Sequence, residues 1–234
     1  AKLMNIYAKK LGMLNTNFLN SHGLPQDNHY STVYDIALLS NALIYDFPNL
    51  YLYFKEKSFT YNKVSQPNRN KLLNTVVGAD GLKTGYTKAS GWGISGSAKR
   101  NERRITVVIN GTNSKRSRLN ESSNLLNWAF TQTYQQKLVS KNQIIQNVDV
   151  WLGNKPTVNL IAQNDVISTL SFDQIKSIKS IIQYEKPVSA PFKAGDKLGL
   201  LTINISGKAA IVVPLVADKD IKNVNPFMKI LAAI

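Results

Sequence analysis

The chemistry of this sequence is concentrated in one octapeptide, Asp80-Gly81-Leu82-Lys83-Thr84-Gly85-Tyr86-Thr87. A lysine ammonium supplies positive potential and a donor for a proton relay. The threonine hydroxyl suits a substrate carboxylate, and glycine removes the side chain that would keep a substrate from lying alongside a strand. A Lys-Thr-Gly triplet alone is a weak signal, so its surroundings must carry the argument. Here it follows a turn-prone Asp80-Gly81, and Gly91, Gly93 and Gly96 lie along the next strand-like run. That spacing predicts close approach of another backbone or a ligand. Other chemistries lack parts. Cysteine is absent, which excludes thiolate nucleophiles, disulfides and cysteine-zinc sites. The histidines number two, His22 and His29, so a three-histidine metal centre is excluded as well.

The elements that would position this octapeptide are legible in part. Leu3, Tyr7 and Leu11 recur every four residues before Gly12, which predicts a first helix with one buried stripe. Irregular chain rich in Asn, Gly and Pro follows, and Ser31-Thr32-Val33-Tyr34-Asp35 then predicts a reciprocal helix cap between Thr32 and Asp35. Ile36, Leu39, Ala42 and Leu43 continue that helix, and Pro48 ends it. Ser58–Tyr61 is strand-like. Trp92–Ala98 and Ile105–Ile109 flank the basic turn Lys99-Arg100-Asn101-Glu102-Arg103-Arg104, an antiparallel meander with Leu82–Thr87. A helix over Leu119–Phe130 is expected to turn Leu125, Trp128 and Phe130 inward. Helices, a meander and a further helix make an α+β layer domain. Past Tyr134 the pattern becomes short β runs (Val148–Leu152, Val166–Leu170, Leu200–Ile205, Ala210–Val213), which predicts a small all-β domain.

With 43% hydrophobic residues in 234, the chain can bury a core, and disorder throughout is excluded. Lys+Arg 29 against Asp+Glu 14 leaves +15, and the excess falls on both sides of Tyr134, +10 before it and +5 after. Such a balance favours an anionic partner. A nucleic-acid reader would add a helix-turn-helix, a zinc module or interleaved aromatics, and none is legible. No apolar run reaches the length of a membrane-spanning helix. The opening residues read as a helix already under way, as expected of a processed or truncated product. The apolar stretch Pro226–Ile234 suits the start of an interfacial helix.

With those residues in view, the chain resembles the D-alanyl-D-alanine carboxypeptidases among the low-molecular-mass penicillin-binding proteins. The resemblance runs nearly from end to end. It is carried by Leu11-Gly12-Met13, Asn15-Thr16-Asn17-Phe18, His22-Gly23-Leu24, Tyr30-Ser31-Thr32, Phe59-Thr60-Tyr61-Asn62, Gln66-Pro67-Asn68-Arg69-Asn70 and Asp80-Gly81-Leu82-Lys83-Thr84-Gly85. Val150-Trp151-Leu152-Gly153, Ala190-Pro191 and Gly199 extend it into the second domain.

The resemblance implies a serine enzyme with three motifs: Ser-x-x-Lys, Ser-x-Asn and Lys-Thr-Gly. The third alone is present. No serine has a lysine three residues on, and the Ser-x-Asn match at Ser122-Ser123-Asn124 falls in the wrong helix. The resemblance therefore implies that the nucleophile lies in sequence preceding this chain, and that the chain by itself cannot form an acyl-enzyme. Residue by residue, it implies that Lys83 stabilises the substrate carboxylate and relays a proton, and that Thr84 hydrogen-bonds that carboxylate. Gly85 leaves room along the strand, and the Tyr86 N–H serves as oxyanion donor. Tyr86 stands where the family more often has histidine. Arg69 and Arg118 match cleft arginines, His22 shapes or lines the cleft, and His29 is read as a surface residue.

The fold class expected is α+β, a partial penicillin-binding domain followed by a small all-β domain. The expected divisions are residues 1–136 for the catalytic part, 137–224 for a β-rich spacer and 225–234 for the start of an amphipathic anchor. The expected reaction removes the terminal D-alanine from peptidoglycan pentapeptide stems, with no metal or organic cofactor. Expected partners are the stem peptide, β-lactam antibiotics, the preceding part of the same protein and the inner-membrane surface, with no nucleic acid. The expected location is the periplasm, at the outer face of the cytoplasmic membrane. Two other readings stay open: a β-lactamase, and a non-catalytic cell-wall or anion-binding protein.

Overall fold

The computed structural model describes residues 1–224; the stretch expected to begin an anchor lies outside them. The chain divides into two compact units, Ala1–Thr131 and Gln132–Ile234. The division falls a few residues before the expected boundary at 136/137.

The first unit opens with helix α1 (Lys2–Lys10). Its expected stripe is not the buried one: Leu3 is 64% and Tyr7 55% exposed, while Ala8 is 3% exposed. A polar clamp holds the loop that follows. Asn5 Nδ2 donates to the Phe18 carbonyl and Asn5 Oδ1 accepts from the Phe18 N–H, both at 2.8 Å. That pair draws the following loop over the Ala8 side, where Met13 is buried. Helix α2 (Val33–Asp46) starts at Thr32, whose hydroxyl accepts the Asp35 N–H at 3.0 Å. The expected return bond from Asp35 is absent from this cap. The buried Asp35 carboxylate instead accepts the Asn15 N–H at 2.9 Å and the Thr16 hydroxyl at 2.6 Å. It ties the preceding loop to the helix, a stronger demand on a buried charge than a surface cap makes.

After α3 (Pro48–Tyr51), a 3-10 turn (Leu52–Lys55), the hairpin β1 (Ser58–Tyr61) and β2 (Val64–Pro67), and the short α4 (Leu72–Thr75), the chain enters a three-stranded antiparallel sheet. Its strands are β3 (Ala79–Thr87), β4 (Gly91–Arg100) and β5 (Arg103–Thr112), in that order, so the Lys-Thr-Gly strand is an edge. Asp80-Gly81 is not a turn. It sits inside β3 at a register shift between Ala79 and Gly81, a bulge that re-aims the Asp80 side chain. The expected close approach of another backbone is met at Gly91, where a Cβ would meet the Gly111 and Thr112 backbone. A Cβ at Gly93 would strike the Asn110 side chain, and one at Gly96 would strike Leu72.

Helix α5 (Lys115–Gln132) begins four residues earlier than expected, because Ser114 Oγ accepts the Ser117 N–H at 3.0 Å and caps it. Its inward face is Arg118, Ser122, Leu126 and Ala129, while Leu125 and Trp128 are 39% and 53% exposed. The expected seam was drawn through apolar residues alone. Ser122 is buried on that face because its hydroxyl satisfies itself on the Arg118 carbonyl at 2.7 Å. Leu72, Val76, Ile94, Ala98, Val107 and Leu126 form the core between helix and sheet. A buried Ser40–Ser95 hydrogen bond of 2.7 Å joins α2 to β4.

Among its described residues, the second unit is almost entirely β. It contains β6 (Thr133–Val139), β7 (Ile144–Trp151), β8 (Thr157–Ala162), β9 (Val166–Ser171), β10 (Lys179–Tyr184), β11 (Val188–Ser189), β12 (Lys197–Asn204) and β13 (Ile211–Ala217). One short helix, α6 (Phe172–Lys176), is closed by a Ser171/Gln174 capping box. Six strands form one sheet in the order β10-β12-β13-β8-β7-β11, and β6 pairs with β9. The alternation in β8, with Val158, Leu160 and Ala162 each fully buried, marks the face turned to this unit's core.

Candidate functional site

Strand β3 presents its residues alternately: Leu82 and Thr84 are buried, Lys83 and Gly85 exposed. Three devices hold it in place beyond its ladder to β4. Asn70, 1% exposed, donates from Nδ2 to the Gly81 carbonyl at 2.8 Å. Asn70 is itself gripped, with its N–H on Asn68 Oδ1 at 2.9 Å and its own Oδ1 accepting the Leu72 N–H at 3.1 Å. Asp80 receives a two-pronged bond from Arg104, Nη1 to Oδ1 and Nη2 to Oδ2, each 2.7 Å. The Tyr51 hydroxyl donates to the same carboxylate at 2.7 Å, and Arg104 Nη1 also reaches Ser97 Oγ at 2.9 Å. Burial, and then the bond to Asp80, push the Tyr51 hydroxyl well above the ordinary tyrosine range. The hydrogen bond to Asp80 raises Arg104 likewise. A charge pair with two parallel bonds fixes orientation as well as distance.

The strand so held borders a cleft of about 1170 Å³, to which every site residue expected from the sequence contributes: His22, Arg69, Lys83, Thr84, Gly85, Tyr86 and Arg118. The Lys83 ammonium bends along the strand and donates to the Thr84 carbonyl at 2.6 Å. Around Gly85 the space is open, since a Cβ there would have no neighbour within 4 Å. Arg69 lies between the two clamping asparagines, which set the backbone from which it reaches the cleft. Arg118, 7% exposed, lies beneath the strand with Nη1 3.5 Å from the Gly85 carbonyl. Burial lowers its guanidinium from the ordinary arginine range. His22 is exposed, and its Nδ1 accepts the Leu24 N–H at 3.1 Å, which shapes its loop. His29, expected on the surface, is half-buried. Its Nδ1 accepts the Leu19 N–H at 3.1 Å and its ring meets Phe18 edge-on, so it is a loop fastener.

The cleft is electrostatically one-sided. Arg69, Lys71, Lys83, Lys115, Arg116 and Arg118 all line it, and none of its lining residues is Asp or Glu. Cations gathered around a concave surface concentrate an anion there. Such an arrangement can seat a carboxylate against Lys83 and Thr84, with the β3 edge offering backbone donors and acceptors to an extended chain. Its lining hydroxyls are those of Thr84, Tyr86, Thr87 and Ser90, and none of them belongs to a Ser-x-x-Lys motif. Ser122, which starts the Ser-x-Asn match in α5, is fully buried. Among the described residues, no three His, Asp or Glu side chains are gathered as a metal ion would need.

Sequence reasoning missed Tyr51, Asp80, Asn70 and Arg104, whose work is to hold β3. In the sequence, Asp80-Gly81 has the form of a turn, which hides the role of Asp80. Sequence reasoning also gave Trp92 no place beside Tyr86, although the hairpin register, with Thr87 opposite Gly91 and Tyr86 opposite Trp92, follows from the loop between the strands.

Residues 1–113 match the family described as D-alanyl-D-alanine carboxypeptidase, and residues 134–223 match the one described as penicillin-binding protein 5, C-terminal domain. The D-alanyl-D-alanine carboxypeptidase DacC of Escherichia coli (strain K12) is 38% identical over 94% of the chain and 56% of that relative. The crystal structure of penicillin binding protein 5 from Haemophilus influenzae is similar over 95% of the chain and 65% of its own length, with 32% identity and a TM-score of 0.77. Penicillin-binding protein D2 from Listeria monocytogenes, solved in its cefotaxime-bound form, is similar over 56% of the chain and 54% of its own, with 33% identity and a TM-score of 0.52. The chain thus spans a little over half the length of the curated relatives it matches.

Proposed function

The chain belongs to the D-alanyl-D-alanine carboxypeptidase family of the low-molecular-mass penicillin-binding proteins, and we propose that it supplies the cationic wall of the active site in a serine-type carboxypeptidase. The reaction removes the terminal D-alanine from the pentapeptide stem of peptidoglycan. A serine outside this chain attacks the penultimate carbonyl, D-alanine leaves with a proton, and water hydrolyses the acyl-serine. β-Lactams acylate the same serine. The observation that carries this reading is the edge strand Lys83-Thr84-Gly85 bordering a cleft lined by six cations and no acid.

Each residue then has a role. Lys83 and Thr84 receive the terminal carboxylate, Lys83 as a charge and relay donor and Thr84 through its hydroxyl. Gly85 lets the stem peptide lie against β3. The Tyr86 N–H, with that of the missing serine, faces the developing oxyanion. Arg69 and Arg118 add positive potential to the cleft, and His22 lines it. The second unit acts as a spacer, and the protein works in the periplasm with residues 225–234 leading toward the membrane surface. No described helix is long and apolar enough to cross a membrane.

Labelled penicillin tests this on the protein extended to include a Ser-x-x-Lys segment. A durable covalent adduct and release of D-alanine from a pentapeptide are expected. Rapid drug turnover would instead favour a β-lactamase, and no adduct would leave a non-catalytic anion binder. Deleting residues 226–234 should lower the membrane-bound fraction without changing D-alanine release. An unchanged fraction would reject the anchor.

A further inference from the structure

The cleft has a feature that the carboxylate chemistry does not use. Tyr86 and Trp92, paired across β3 and β4, are stacked face to face with centroids 4.1 Å apart and planes 27° from parallel. The Trp92 ring also receives two cations, Lys115 Nζ at 5.2 Å and Arg118 Cζ at 5.5 Å from its centroid. The indole is therefore held from several sides. Tyr86 has one face against it and keeps 54% of its surface exposed. Both rings line the cleft, one residue beyond the open space at Gly85. An exposed tyrosine on an edge strand would ordinarily sample several rotamers. This one lies flat on a ring that Lys115 and Arg118 also contact.

We propose that Tyr86, backed by Trp92, is a specificity platform that selects cleft ligands carrying a planar aryl or other flat apolar group beside the anchored carboxylate. The proposal rests on the carboxypeptidase reading, because it takes the acyl chain of the ligand to run along β3 past Gly85. A ligand so placed brings its side chain over the free face of Tyr86, where stacking needs no induced ordering of the protein. A cationic side chain is disfavoured at the same place by Lys115, Arg116 and Arg118. The phenol oxygen is not needed for this role, since the ring face is what the ligand meets.

The test uses two penicillins that share the nucleus, carboxylate and amide, one N-acylated with phenylacetyl and the other with acetyl. Acylation rates are measured on the protein extended to include its Ser-x-x-Lys segment. The phenylacetyl compound is expected to react about fivefold faster than the acetyl compound. That ratio should collapse toward one in Tyr86→Ala, survive in Tyr86→Phe, and fall in Trp92→Leu, which removes the backing without touching the platform. The same ratio in wild type and Tyr86→Ala overturns the platform and leaves the carboxypeptidase reading standing. No adduct with either compound overturns that reading, and the platform with it.

Discussion

Removing Asp80 should show how much of the site's geometry is maintained by one charged clamp. The carboxylate takes three bonds of 2.7 Å, two from Arg104 and one from Tyr51. The Arg104 and Asp80 side chains are 15% and 23% exposed. Exposed ion pairs contribute roughly 0–1 kcal/mol, whereas stripping one partner from a buried pair costs about 3–5 kcal/mol. A pair this shielded but still touched by water falls between, so Asp80→Ala should cost about 2.5 kcal/mol. For a unit of this size each kcal/mol moves the midpoint by about 4 °C, giving a fall of about 10 °C in the first unit's melting transition. The assay is differential scanning calorimetry of Asp80→Ala, Arg104→Leu and the double variant, read as a cycle. Coupling of about 2 kcal/mol is expected, with Arg104→Lys retaining less than half because it keeps the charge but loses the fork. Coupling below about 0.5 kcal/mol would place the pair among ordinary surface contacts and refute the argument that it anchors β3.

Other outcomes follow from the same geometry. Lys83→Ala in the extended protein should lower penicillin acylation at least a hundredfold while the melting midpoint moves by under about 2 °C, since the side chain is exposed and rests only on its own strand; retained acylation would remove Lys83 from the mechanism. Tyr51 has a raised folded-state pKa, so the stability it lends is fully present below its unfolded value near 10 and is lost as pH climbs toward the folded one. Alkaline melting curves should therefore fall more steeply for wild type than for Tyr51→Phe, and parallel curves would contradict this. Leu126→Ala should destabilise the first unit by about 2–4 kcal/mol in urea, because that side chain is fully buried against the sheet. Trp128→Ala, two residues along on the exposed face, should cost under about 1 kcal/mol, and equal losses would mean the helix seam is misplaced.

What could be read directly was whatever depends on neighbours in the chain. The Lys83-Thr84-Gly85 strand, the Thr32 cap, the meander and the change to β structure after Tyr134 are local patterns, set by side-chain alternation, hydroxyl reach and turn residues. The lack of cysteine and the +15 charge restricted the chemistry without any fold at all. What required the folded chain was the choice among faces and partners. Leu125 and Trp128 look as well suited to a core as Leu126, yet only the position of the sheet decides which row meets it. Asp35 and Asp80 both sit in patterns that suggest a cap and a turn. Their partners, Asn15 and Thr16 for one, Arg104 and Tyr51 for the other, come from 19 to 29 residues away. A carboxylate is satisfied by whichever donors the fold brings within about 3 Å, and sequence separation places no limit on which those are. The cleft itself is of that second kind: His22, Arg69, Lys83 and Arg118 share one concavity because four separate segments converge there, and only packing makes them neighbours.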